Sequence, residues 1–400
     1  MSAPYDPLPV WTDPHVLVSS EWLLQADAAG QLLSKEADYF VVGVLGGVEE
    51  GSLGKCPPFK VTSLQQRLLG QHCTSGIQIR ASEDGIIALD TQPLFSLSLL
   101  TEVTKWSRPA LPLAAPAVAA AGATKANVVP FEGAQRLMEL QMGALLLSVC
   151  HLVVIFCDGL EDPAMYEYLQ TVEMLARGIP DPSLPHLPPT AVSGTAASAG
   201  SKQPAPAQQQ HLADVLLLHI VDPGDECGGS PEGAFPADDI ARPSLSDVVE
   251  LEDRVRAAFA ASRLRVPGPI SLLGLLQQHA AGSTRAPGPS SSASGLGCLS
   301  YWVLPRHKHD APAGAKIAAG TSVQPSAPQV CGIEEWRDAL IYRLLWYPRR
   351  AFARNVSQQG WGAGIKASWE AVCKSRGILE YYTRVVGTAL KGAGGWGLAR

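Results

Sequence analysis

Chemistry is most concentrated in one stretch of this 400-residue chain, Gly46-Gly-Val-Glu-Glu-Gly-Ser-Leu-Gly-Lys-Cys56. A phosphate-binding loop has the spacing G-x-x-x-x-G-K-[ST]. Its glycines let backbone N–H groups face the phosphates, the lysine pairs with them, and the final hydroxyl holds Mg²⁺. Gly54 and Lys55 fit that pattern, and Gly51 is a further loop glycine. Three features do not. Glu49 stands at the first glycine position and, with Glu50, puts negative charge where phosphate would lie. Cys56 replaces the hydroxyl, and Pro57-Pro58 removes N–H groups from the first helical turn. Two readings stand, an ordinary glycine-rich turn or the relic of a phosphate loop.

Further along, Asp90-Thr-Gln-Pro93 occupies the place of the D-x-x-G of GTPases. There the Asp reaches Mg²⁺ through water and the Gly N–H meets the γ-phosphate. Asp90 is kept, but Pro93 has no N–H. Thr74 stands where a switch threonine would, or is a plain loop threonine. His219-Ile-Val-Asp222 holds the place of N-K-x-D, and only Asp222 matches. The short basic spot Arg306-His-Lys-His309 reads as a solvated turn. Neither G-x-S-x-G nor H-E-x-x-H occurs, so hydrolase and metalloenzyme readings lack a foothold.

The elements that must position these residues follow from hydrophobic pattern. Tyr39–Leu45 is a continuous apolar run, as in a strand buried on both faces at the centre of a parallel sheet. Gly76–Arg80 and Gly85–Thr91 read as strands joined by a tight turn at Glu83-Asp84-Gly85. A helix is expected over 133–148 and strands over 151–157, 214–221 and 299–304. Asp162-Pro163 starts another helix, with Met165, Tyr168, Leu169, Val172 and Leu175 on one face and Gly178 as its stop. Val248, Leu251, Val255 and Phe259 mark a further one, and 270–276 is one more apolar segment. The sum predicts an α/β fold of P-loop NTPase (G-domain) type, a mostly parallel sheet with helices on both faces. A C-terminal helical extension is expected as well.

Residues 1–31 read as a Pro-rich segment, loosely ordered to residue 20, followed by a short helix over Trp22–Leu33. The α/β domain covers 32–310, with disordered inserts near 109–130, 179–210 and 281–295. A linker spans 311–330 and a helical unit 331–400. In that unit Trp336, Trp346, Tyr347, Trp361 and Trp369 are either interface anchors or core.

Bulk composition narrows the functions. With 46% hydrophobic residues, 38 Gly and 32 Pro, the chain suits a globular core interrupted by low-complexity stretches. A formal charge of -6 argues against broad nucleic-acid binding. Eight cysteines without a C-x-x-C pair argue against zinc ribbons and redox pairs. The N-terminus lacks the order of a secretory signal. The longest apolar run, 142–157, is shorter than the ~20 residues of a bilayer span. These point to a soluble protein of a reducing, cytoplasmic compartment, with no membrane partner.

Several stretches carry a more specific likeness: Asp38-Tyr-Phe-Val-Val-Gly-Val-Leu-Gly46, Thr74-Ser-Gly-Ile77, Ile87-Ala-Leu-Asp-Thr-Gln-Pro93, Leu145–Val154 and Tyr166-Glu-Tyr-Leu-Gln-Thr-Val-Glu-Met174. Ile365–Ser375 and Leu379-Glu-Tyr-Tyr382 continue it. Together they resemble the subunit-nine family of SMG-type nonsense-mediated mRNA decay factors. The resemblance implies a dynamin-like G domain that pairs with the related subunit eight and docks on the phosphatidylinositol-3-kinase-related decay kinase. It also implies a non-catalytic role, in which a structural nucleotide with Mg²⁺ is held without effective hydrolysis. Its contacts would be Gly51, Gly54, Lys55, Cys56, Thr74 and Asp222, with Asp90 near the metal. The chain departs from the family at the loop, where extra residues precede Gly54 and Cys56 replaces a serine. The rival expectation is an active GTPase or ATPase with an unusual loop.

Overall fold

A computed structural model describes residues 10–46 (apart from 26, 28–29, 31, 35 and 37), 72–104, 131–184 (apart from 160–161), 211–221, 245–264, 300–305, 344, 347 and 351–386. Seven strands form one sheet: β1 (His15–Val18), β2 (Phe40–Leu45), β3 (Ile77–Ala81), β4 (Ile86–Thr91), β5 (Leu152–Asp158), β6 (Asp214–Val221) and β7 (Ser300–Pro305). Their spatial order is β1-β3-β4-β2-β5-β6-β7. Pairing is antiparallel at β1/β3 and β3/β4 and parallel everywhere else, so β3 alone runs against the rest. The expected α/β fold with a mostly parallel sheet and helices is what the chain adopts.

Local sequence accounts for most of this. Six successive buried residues in β5 make it a central strand covered on both faces. The alternating burial of β3 marks a strand nearer the edge. Gly85 takes φ +78°, a left-handed conformation that a residue with a Cβ adopts only under strain, and so closes the β3–β4 turn.

The helices are α1 (Leu97–Val103), α2 (Phe131–Val149), α3 (Pro163–Leu175), α4 (Leu245–Ala258), α5 (Gln358–Cys373) and α6 (Arg376–Tyr381), the last running into a π-helical turn at Tyr382–Val386. Asp162 caps α3 by accepting from Met165 N at 2.9 Å, and the predicted apolar face is buried throughout. Helix α2 is apolar on nearly every side and is buried between the sheet and helices α1, α3, α5 and α6.

Three expectations need correction. Residues 10–20 are ordered: β1 forms a sheet edge, with Leu17 and Val18 fully buried. Trp22–Gln25 is not helix, because Trp22 takes φ +64° at the end of the Ser19–Trp22 turn and Leu24 bridges back to Val18, whereas Asp27, Gly30 and Leu32 are helical as expected. Residues 179–184 belong to the core and not to an insert: Ile179, Asp181 and Ser183 are buried, and Asp181 accepts from Ser183 N at 2.8 Å. The segment 270–276, the expected inserts elsewhere and the 311–330 linker lie outside the described residues.

The C-terminal helices share the main core. Trp361 is fully buried and donates from Nε1 to Val149 O at 2.8 Å, while Trp369 meets Trp22 edge-on at 5.4 Å. Tyr347 is buried too. These three aromatics therefore fill core, and Trp336 and Trp346 lie outside the described residues. Gly364 packs so closely that an added Cβ would lie 1.9 Å from Pro182 O.

Trp361→Ala is expected to lower unfolding free energy by about 3–5 kcal/mol. Urea titration followed by far-UV circular dichroism should show one cooperative transition moved to lower denaturant. A separate early transition, with the main one unmoved, would contradict the shared core.

Candidate functional site

In a doubly wound sheet, ligands bind beyond the carboxyl ends of the strands where the connections diverge. Here the chain leaves β2 for β3 and β4 on one side, then returns to β5 on the other. The crevice is therefore bordered by the ends of β2, β4 and β5, with β6 beyond.

Thr74 and Asp90 are brought together at its β4 side. Thr74 Oγ1 donates to Asp90 Oδ2 at 2.7 Å, and Asp90 lies opposite Val44 of β2. Burial pushes the Asp90 carboxyl up to about 6, with Thr74 and the Thr91 backbone pulling the other way. Around this pair the backbone is tied down. Thr91 Oγ1 donates to Val44 O at 2.8 Å, and Gln92 Oε1 accepts from Gly76 N at 2.9 Å. The Gln92 Nε2 is buried without a partner among the described residues. His72 ties the start of β3 to α1, with Nδ1 2.7 Å from Ser98 Oγ and Nε2 2.9 Å from Glu102 Oε2.

The stretch after β4 is held from α2. Phe95 N donates to Glu139 Oε1 at 2.8 Å and Gln135 Nε2 donates to Ser96 O at 2.9 Å. Arg136 pairs with Glu139 Oε2 at 3.1 Å and lies 5.4 Å from the Phe95 ring centre. Burial raises the Glu139 carboxyl, against the opposing pull of Phe95 N–H, Arg136 and Gln135.

His219 sits at the β6 end, fully buried, with Nδ1 3.0 Å from Gly159 O. A carbonyl can only accept, so Nδ1 carries the proton. Burial pushes the imidazole down to about 4, and it is neutral at neutral pH. Asp90 is level with Val44, Val154 and Leu216 across the sheet, so His219, three residues further along β6, is about 17 Å away.

Of the predicted site residues, only Thr74 and Asp90 are described and in contact. Gly51, Gly54, Lys55, Cys56 and Asp222 lie outside the described residues. A Mg²⁺–triphosphate group needs an ionised carboxylate, accessible oxygens and facing N–H groups. Asp90 is already bonded to Thr74, Thr74 is buried, and Pro93 offers no N–H. Among the described residues only Asp90 and Thr74 could take part in holding that group. No cluster of three or more His, Cys, Asp or Glu suited to a metal occurs among them. Sequence reasoning missed His72, Gln92, Gln135 and Glu139. The signal for the last two was available: Gln135-Arg136 and Glu139 are one turn apart in an otherwise apolar helix, and buried polar groups there need partners.

Because the folded chain favours neutral Asp90, its stabilising contribution is complete below about pH 3.8 and is lost as pH rises through about 6. Asp90→Asn escapes this loss. The variant should gain about 1–3 kcal/mol over the parent between pH 4 and pH 7, read from urea midpoints at four pH values. Parallel curves would refute the assignment.

No family model matches the chain. It is 31% identical over 177 residues to the nonsense-mediated mRNA decay factor SMG9 of Xenopus laevis, a match covering 41% of this chain and 32% of that protein. Against the SMG9 proteins of Xenopus tropicalis and Salmo salar the identities are 30% over 177 and 28% over 173 residues. The chain thus spans about a third of the length of the curated relatives it matches. Over that stretch it is a homologue of the SMG9-type nonsense-mediated mRNA decay factors.

Proposed function

We propose that this chain is a non-catalytic subunit of the nonsense-mediated mRNA decay machinery, built on a G domain whose nucleotide apparatus has decayed. It acts in the cytoplasm, pairs with an SMG-type subunit eight and helps that partner associate with the phosphatidylinositol-3-kinase-related decay kinase. The observation that carries the pathway is the 31% identity to SMG9 over 177 residues. A central β2, flanked by the β3–β4 hairpin on one side and by parallel strands on the other, supports the G-domain reading.

Against turnover stand Pro93, Cys56 in place of the hydroxyl and the carboxylates Glu49 and Glu50 in the loop sequence. Phosphoryl transfer is positioning and charge stabilisation almost entirely, so losing these contacts removes the means of catalysis. What is left is a rigid sheet suited to association, and its formal charge of -6 directs it to protein partners more than to nucleic acid.

Purified chain with GTP or ATP and Mg²⁺ should release phosphate no faster than buffer, and Lys55→Ala should change nothing. Calorimetric titration with and without Mg²⁺ should show no metal-dependent gain in affinity. Tagged chain should co-purify subunit eight and the decay kinase from cells. Multiple turnovers that vanish in Lys55→Ala would establish an active GTPase or ATPase instead.

A further inference from the structure

We propose that the segment after β4, residues 92–99, is latched to α2 by Glu139, so that its conformation is set by the chain's own carboxylate and not by a bound phosphate. This rests on the decayed G-domain reading only in identifying 92–99 with the segment that a γ-phosphate would otherwise order.

The N–H groups of Gln92, Leu94, Phe95 and Leu99 are already engaged. Leu94 N donates to Gly46 O at 2.8 Å, which fixes the segment to the end of β2. Phe95 N donates to Glu139 Oε1, and Ser96 O accepts from Gln135. Ser96 Oγ then accepts from Leu99 N as the cap of α1. Pro93, at the position of the sensing glycine, has no N–H to offer.

The latch is itself braced. Glu139 is 2% exposed, and Arg136 and Gln135 bind the same carboxylate at 3.1 Å and 3.2 Å. Tyr168 Oη donates to Glu139 O at 2.7 Å, so α3 fixes this turn of α2 as well. Phe95 takes φ +55°, an unfavourable backbone for a bulky side chain that persists only where surrounding contacts over-determine it. The N–H bond to Glu139 and the Arg136 guanidinium near its ring are those contacts. A segment that cycled between ordered and released states would lose all of them together.

Hydrogen exchange on the purified full chain, followed in peptides covering 92–100, tests this. Exchange there should be the same with millimolar GTP, GDP or ATP and Mg²⁺ as without. Glu139→Ala should speed it by about tenfold or more, with β5 and β6 peptides unchanged. Glu139→Gln, which keeps an acceptor for Phe95 N–H, should retain most protection. If Glu139→Ala does not fold, Gln135→Ala should give a smaller acceleration in the same peptides. Nucleotide-dependent protection of 92–99 in the parent chain would overturn the latch, as would parent-like exchange in a folded Glu139→Ala. Turnover of GTP with unchanged exchange would sink the non-catalytic reading and leave the latch standing.

Discussion

Helix α2 constrains everything around it, because it is buried on almost every side and still carries polar groups. A buried polar atom without a partner costs a few kcal/mol, so each of them must be met by a neighbour in register. Gln141 accepts from Trp22 Nε1 at 2.7 Å, Glu139 holds Phe95, the Glu139 carbonyl takes Tyr168, and the Val149 carbonyl takes Trp361. Four distant parts of the chain are thereby fixed to one rod: the N-terminal turn, the segment after β4, α3 and α5. Shifting α2 by one residue would orphan all four. The apolar remainder of the helix packs on β2 and β5 and supplies the burial that holds it there.

The two ends of the sheet have been used differently. At the amino ends of β2, β5 and β6, His151 Nδ1 accepts from Val41 N at 2.9 Å, and Tyr347 donates to Asp214 Oδ2 at 3.1 Å. Phe352 lies 4.3 Å from the His151 ring and 4.5 Å from that of His211. This end is sealed by a segment from the C-terminal part, and burial there pushes the Tyr39 phenol above its ordinary range. The carboxyl ends carry two groups shifted by burial, Asp90 raised to about 6 and His219 lowered to about 4.

The latch and the departures of the loop sequence from a phosphate loop fit together. Once the segment after β4 is held by Glu139, a sensing glycine at position 93 has no task, and a proline there costs nothing in ordering.

The primary structure by itself determined the strands and most helices. Continuous apolar runs such as Tyr39–Leu45 and 151–157, the Glu83-Asp84-Gly85 turn and the Asp162-Pro163 start are local signals, written within a few neighbouring residues. They also specified the Asp90 and Pro93 chemistry, since a missing N–H is a property of one residue. Tertiary structure alone decided what depends on remote partners. A short N-terminal stretch with little periodicity becomes β1 because β3 offers it an edge. Trp22 turns at positive φ because its indole reaches α2, 119 residues away. The C-terminal aromatics look the same in sequence whether they face a partner or a core, and only the carbonyl of Val149 and the closeness of Pro182 show that Trp361 and Gly364 are inside.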